Sequence, residues 1–187
     1  MDTDEDLPKR EFGWSDMFVH EDDDPRSDGG WNNDERSVLL GFLADRRLSL
    51  EMKCGGLDPA QMAQQSVPPS NLSLLGLVRH LTSVEHYWFQ SVIAGIDDRL
   101  PYHNDAGDDL AFEIEPDPDL VNSAWAMWRD EVASSNRCID EVADLGQLAP
   151  SRAVPVREVL VHLIREYAQH LGHADLIRER IDGRIGQ

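Results

Sequence analysis

Residues Glu166–Gly183 read EYAQHLGHADLIRERIDG, and the spacing within this stretch decides how the rest of the chain is understood. With the preceding VREVLVHLIR it makes one continuous helical period, which opens at Pro155, a residue suited to a first turn, and stops at Asp182–Gly183. Glu166, His170 and His173 stand at i, i+4 and i+7, with His162 one turn earlier. At about 100° per residue the four fall in a sector of about 80°. Val159, Leu163, Tyr167, Ala174, Ile177 and Ile181 form the apolar stripe of the same helix, whereas Arg157, Arg165, Asp175 and Glu179 point away from it. His170 lies within the stripe, Glu166 on its shoulder, and His162 and His173 at its margins. Burying a carboxylate and an imidazole without compensation is costly, and a cation is one way to compensate them.

Three further helices follow from the same signals. Asp34 is a suitable N-cap for ERSVLLGFLADRRLSLEMKC, whose apolar residues recur every three or four positions until Gly55–Gly56 stop it. After a connector with Asp58–Pro59 and Pro68–Pro69, a second helix is expected from about Ser70–Ser73 to Gly95. Its apolar face carries Leu74, Leu77, Val78, Leu81, Val84, Trp88 and Val92, with His80 at the edge. Pro118 opens a third helix, expected to run until Gly146 closes it. Between helices two and three lies an acidic, aperiodic stretch of a length often found in functional lids, here expected to overhang a site. No alternation typical of strands is present, so the economical architecture is all-α, an antiparallel four-helix bundle over residues 34–187.

Residues 1–33 are of different composition. Up to Asp34 the chain has twelve acidic residues against three basic ones, too little apolar surface to offset the entropy of ordering. Phe12, Trp14, Met17 and Phe18 form an aromatic segment within this acidic, partly disordered arm, expected to dock on the bundle or on a second subunit. The whole chain has 187 residues and a formal net charge of −19, which argues against nucleic acid and anionic membranes as partners. Cys54 and Cys138 form no metal or redox motif, no apolar run approaches a membrane span, and no secretion signal opens the chain. A cytoplasmic protein acting on a small molecule is expected.

The chemical candidates converge on two helices. His80 from helix two with Glu166 and His170 would give three ligands and one open position, the arrangement of a catalytic zinc site. The alternative is that the two histidines bond to neighbours and Glu166 pairs with Arg47 or Arg79. His173 and Glu85 are candidates for supporting a ligand or moving a proton, although a Glu on an apolar face more often pairs with an Arg. His162 is a rival ligand. Trp88, Trp125 and Trp128 suit a core or a pocket, and His86 and His103 read as surface residues.

PPSNLSLLGLVRHLTSVEHYWF combined with EYAQHLGHADLIRERIDG resembles the DinB-like superfamily of metalloenzymes. It is most similar to an actinobacterial branch related in fold to mycothiol-dependent maleylpyruvate isomerase and to thiol S-transferases. The likeness covers about residues 10–187. It implies a bundle of up-down-down-up topology, often homodimeric, and a divalent metal, zinc or nickel, held by a histidine late in helix two and a pair four apart in helix four. Those positions here are His80, Glu166 and His170. The resemblance further implies activation of a low-molecular-weight thiol of the mycothiol type for S-transfer to, or isomerisation of, a small electrophile. The competing reading is a non-catalytic metal-binding or structural bundle.

Overall fold

The structure is a computed structural model that describes residues 24–26 and 34–186. The aromatic segment Phe12–Phe18 expected to dock on the bundle lies outside these residues. Five α-helices follow in order: α1 (Glu35–Cys54), α2 (Pro59–Ala63), α3 (Leu74–Glu85), α4 (Pro118–Asp140) and α5 (Val156–Asp182). Helix α3 continues without a break as a π-helical segment, His86–Ile93. Among the described residues there is no β-strand, only two isolated bridges, and no described helix is long and apolar enough to cross a membrane.

The helix starts follow local capping chemistry. The Asp34 side chain accepts from Ser37 N, Ser73 from Gly76 N and Asp117 from Asp119 N, each satisfying an amide that has no partner within its helix. Asp58 and Gln61 form a reciprocal capping box around α2. At the far end of α5, Gly183 adopts φ 81° and donates its N–H to Glu179 O, a left-handed stop that a residue with a Cβ would resist.

Side-chain pairs set the helix directions. Glu35 meets Arg157 and Lys53 meets Asp175, so α1 and α5 run side by side in one direction. His86 meets Glu131 and Cys138 donates to Phe89 O, so α3 with its π-helical extension runs alongside α4. Across the bundle the order reverses, since Glu51 pairs with Arg129 while Arg36 reaches Ile139 O. The core between the helices is built from Leu43, Leu50, Leu77, Leu81, Leu160 and Leu163 and their neighbours, and its burial provides most of the stabilisation.

Two boundaries differ from the sequence expectation. Helix α4 ends at Asp140 rather than near Gly146. Val142, Leu145 and Ala149 are buried in the following turns, and those turns are tied to the start of α5 by Arg157 N to Leu145 O and Val156 N to Gln147 O. Burial in the connection, not a continued helix, thus accounts for the apolar residues there. In helix two the π-helical turns, marked by Ala94 N to Phe89 O, rotate less per residue than α-helical ones. Glu85, the last α-helical residue, stays on the Leu74–Leu81 face and is buried, and the change of pitch after it leaves His86 and Phe89 buried and Trp88 only partly so.

Candidate metal centre

Helices α3 and α5 cross with His80 opposite Glu166 and His170. One potential ligand atom from each lies within 4.8 Å of the others. The separations are 3.4 Å from His170 Nε2 to Glu166 Oε1 and 3.8 Å from His80 Nε2 to the same oxygen. Donors bound at about 2.1 Å in a tetrahedral arrangement lie about 3.4 Å apart, so these gaps fit a shared cation. His80 Nε2 supplies an independent test of that fit. It is buried and has no hydrogen-bond partner, although such an atom normally finds one. A nitrogen lone pair turned toward a carboxylate at 3.8 Å is too distant for a hydrogen bond and well placed for a metal ion between them. Two imidazoles and one carboxylate also suit zinc and similar divalent metals.

Surrounding groups hold the three candidate side chains in register. Asp109 Oδ2 lies 3.3 Å from His80 Nδ1, which places the ring proton on Nδ1 and leaves Nε2 as the free donor, the usual arrangement behind a ligating histidine. Phe112 packs on the His80 ring with centroids 5.9 Å apart, and a Cβ at Gly76 would run into the Phe112 ring. Asp109 and Phe112 both come from the acidic stretch after helix two, so that stretch does overhang this site. Ser83 Oγ to Pro101 O at 2.5 Å and Arg79 Nη1 to Glu113 O at 3.1 Å fasten it along α3. Sequence reasoning did not single out Asp109, because its only local signal is membership of an aspartate-rich loop.

His170 is 9% exposed. Burial, followed by the neighbouring His80 and opposed by Glu166, pushes it below the ordinary imidazole range, toward the neutral form that can ligate. His173 Nδ1 sits 3.4 Å from His170 Nδ1, on the side of the ring away from Glu166. His162 Nε2 faces the other Glu166 oxygen at 3.8 Å, while its Nδ1 accepts from Arg165 Nη2 at 2.9 Å and its ring lies 4.5 Å from that of Trp88. With one nitrogen occupied by Arg165, His162 is a neighbour of the cluster rather than one of its three close members.

The remaining candidates lie elsewhere. Glu85 is fully buried, and Arg47 donates Nε to Oε1 at 2.7 Å and Nη2 to Oε2 at 2.6 Å. Tyr167 OH donates to Oε1 at 2.8 Å and accepts from Trp128 Nε1 at 3.0 Å. Arg47 therefore pairs with Glu85, not with Glu166. His86, read from sequence as a surface residue, is nearly buried between Asp98 and Glu131, at 2.7 and 3.0 Å. The π-helical turn that carries it inward was not legible as a period. His103 is half-buried, with Nδ1 2.9 Å from Pro101 O.

A family model described as Mycothiol-S-transferase matches residues 38–183, from the first turn of α1 to the cap of α5 and including every residue of the cluster. No curated protein and no solved structure matches the chain.

Proposed function

Because the chain belongs to the mycothiol-S-transferase family, a DinB-like family of thiol-handling enzymes, we propose that it transfers a low-molecular-weight thiol of the mycothiol type to a small electrophile at a divalent metal held by His80, Glu166 and His170. The observation that carries this reading is the buried, unpartnered His80 Nε2 facing Glu166 and His170. A divalent cation bound there, zinc by its ligand chemistry, would supply the positive charge that lets a thiol ionise near neutral pH.

The chain's own groups do the positioning. Asp109 fixes the tautomer and orientation of His80. Phe112 packs against the same ring. His170 is kept neutral mainly by its burial, and His173 stands at its remote nitrogen. In the transfer, a sulfur–carbon bond forms, the leaving group departs with its electron pair, and the thiol proton passes to solvent. The proposed setting is the cytosol, where Cys54 and Cys138 remain free thiols. The proposed assembly, following the family resemblance, is a homodimer.

The test is metal analysis of protein purified without chelator, melting with and without EDTA, and transfer of mycothiol to monobromobimane by wild type and His170→Ala. Stoichiometric metal, an EDTA-sensitive melt and loss of turnover in the variant are expected. Absence of both metal and the EDTA effect, or turnover that survives His170→Ala, would sink the proposal.

A further inference from the structure

The fold gathers cations where the sequence showed none together. Arg152 precedes α5 and Arg165 lies within it, and both flank His162: Arg165 Nη2 donates to its Nδ1, and Arg152 lies over the Trp88 ring that packs against the His162 ring. In a chain of net charge −19 an arginine is expected to meet a carboxylate, as Arg47, Arg129 and Arg157 do. Among the described residues Arg152 and Arg165 meet none. The Arg152 guanidinium lies over the Tyr87 and Trp88 rings, 5.5 and 5.6 Å from their centroids, so its position is set by stacking and its N–H edges stay open. Arg165 commits one N–H to His162 Nδ1 and has others to offer. His162 in turn faces Glu166 Oε2 at 3.8 Å, so Arg165 stands two contacts from the cluster and Arg152 three, through Trp88 and His162. Arg165 and His162 line a cleft of about 680 Å³ with Val38, Leu39 and Val161 among others, and Arg152 reaches toward it over Trp88, whose ring packs against that of His162.

The nearby acids do not cancel this charge. Glu35 is paired with Arg157 and Asp34 caps α1. Glu166 belongs to the candidate ligand set, which leaves Glu158, in the first turn of α5 and one turn before His162, as the one further carboxylate lining the cleft among the described residues.

Resting on the transferase reading above, we infer that Arg152 and Arg165 form an anion subsite, so that the electrophile accepted at this centre carries a carboxylate or similar anionic group. Guanidinium groups stay charged at all physiological pH and match a carboxylate in geometry. The subsite therefore selects acidic acceptors over neutral ones of the same shape.

The experiment separates this from the metal chemistry by reading binding first. Benzoate and its neutral isostere benzamide are titrated calorimetrically into protein as purified and into EDTA-treated protein. Wild type, Arg152→Gln/Arg165→Gln and the remote control Arg129→Gln are compared, with circular dichroism confirming that each is folded. Benzoate is expected to bind wild type and Arg129→Gln, in a salt-sensitive way, about tenfold or more tightly than it binds the double variant. Benzamide is expected to show no such preference. The second readout is thiol transfer to 4-(bromomethyl)benzoate against 4-(bromomethyl)benzamide, in which a sulfur–carbon bond forms, bromide leaves and the thiol proton goes to solvent. The double variant should raise KM for the acid acceptor alone. Benzoate that binds the double variant as tightly as wild type, that fails to bind wild type, or that is matched by benzamide overturns the subsite. Anion binding that depends on the arginines in protein without metal or turnover overturns the transferase reading and leaves the subsite standing.

Discussion

Removing the Glu85 carboxylate tests the packing logic that aligns α3 with α5. Glu85 is 0% exposed, and the side chain of its partner Arg47 is 9% exposed. Glu85→Ala would leave a buried guanidinium facing a cavity, with Asn136 and the Tyr167 hydroxyl as remaining side-chain partners, and would strip Tyr167 OH of its carboxylate acceptor. Breaking one partner of such a pair costs about 3–5 kcal/mol. With a urea m value on the order of 2 kcal/mol/M, the unfolding midpoint should fall by about 2 M, and the melting temperature by about 10 °C. The isolated charge, not the lost contact, is the dominant cost. Arg47→Met/Glu85→Leu should therefore recover most of the loss, to within about 1–2 kcal/mol of wild type. Tyr167→Phe, which removes only the hydroxyl between Trp128 and Glu85, should cost about 1–2 kcal/mol. Urea unfolding followed by far-UV circular dichroism measures all of these. If Glu85→Ala lies within about 1 kcal/mol of wild type, or the double variant is as unstable as the sum of the single ones, the buried pair does not act as described.

Other outcomes follow from single contacts. Asp109→Asn should weaken metal binding about 10–100-fold in a chelator competition, because it removes the carboxylate that fixes His80; an unchanged affinity would remove Asp109 from the site. Hydrogen bonding to Glu131 raises His86 above the usual imidazole range. Its contribution to stability is therefore fully present below the unfolded value near 6.5 and is lost as pH rises through the folded value. Melting temperature should accordingly drop between about pH 6 and pH 9 more steeply in wild type than in His86→Gln, and parallel curves would contradict this. Burial pushes the Cys54 thiol up to about 12, so Ellman's reagent should leave it unmodified until denaturant is added, and rapid labelling in the native state would count against that burial. Gly76→Ala should displace Phe112 and loosen the chain that carries Asp109, read out as faster amide exchange in residues 108–113.

What the sequence made legible was local. Asp34, Asp58–Pro59, Ser73, Asp117–Pro118 and Gly183 each act on amides or carbonyls within a few residues, so the chain announces helix starts and stops without knowledge of the fold. The wheel of α5 was equally informative, since His170 is buried and Glu166, His162 and His173 are partly so. That ordering follows from 3.6-residue geometry alone. His80 came from the edge of the apolar face of helix two, which no spacing within α5 could specify, and the family resemblance implies the same three residues.

What stayed hidden depends on contacts between distant segments. Whether a period of 3.6 continues past Glu85 is decided by which residues of α4 and α5 wait on the other side. Arg47 and Tyr167 converge on Glu85, with Trp128 donating to Tyr167, while Glu131 and Asp98 converge on His86. Glu85 is turned inward by the α-helical period itself, whereas the partners of His86 reward turning it inward, which an α-helix continuing at 100° per residue would not do as well as wider turns. The same π-helical segment sets Trp88 against His162 and beneath Arg152. One change of helical pitch thus turns His86 inward and also builds the cationic flank beside Glu166. Restoring α-helical pitch there, by deleting one residue between Glu85 and Ile93, should disturb both together. Helical repacking seen by amide exchange should then accompany loss of any anion binding. A deletion that left the Trp88 and Arg152 flank intact would show that the pitch and the site are independent.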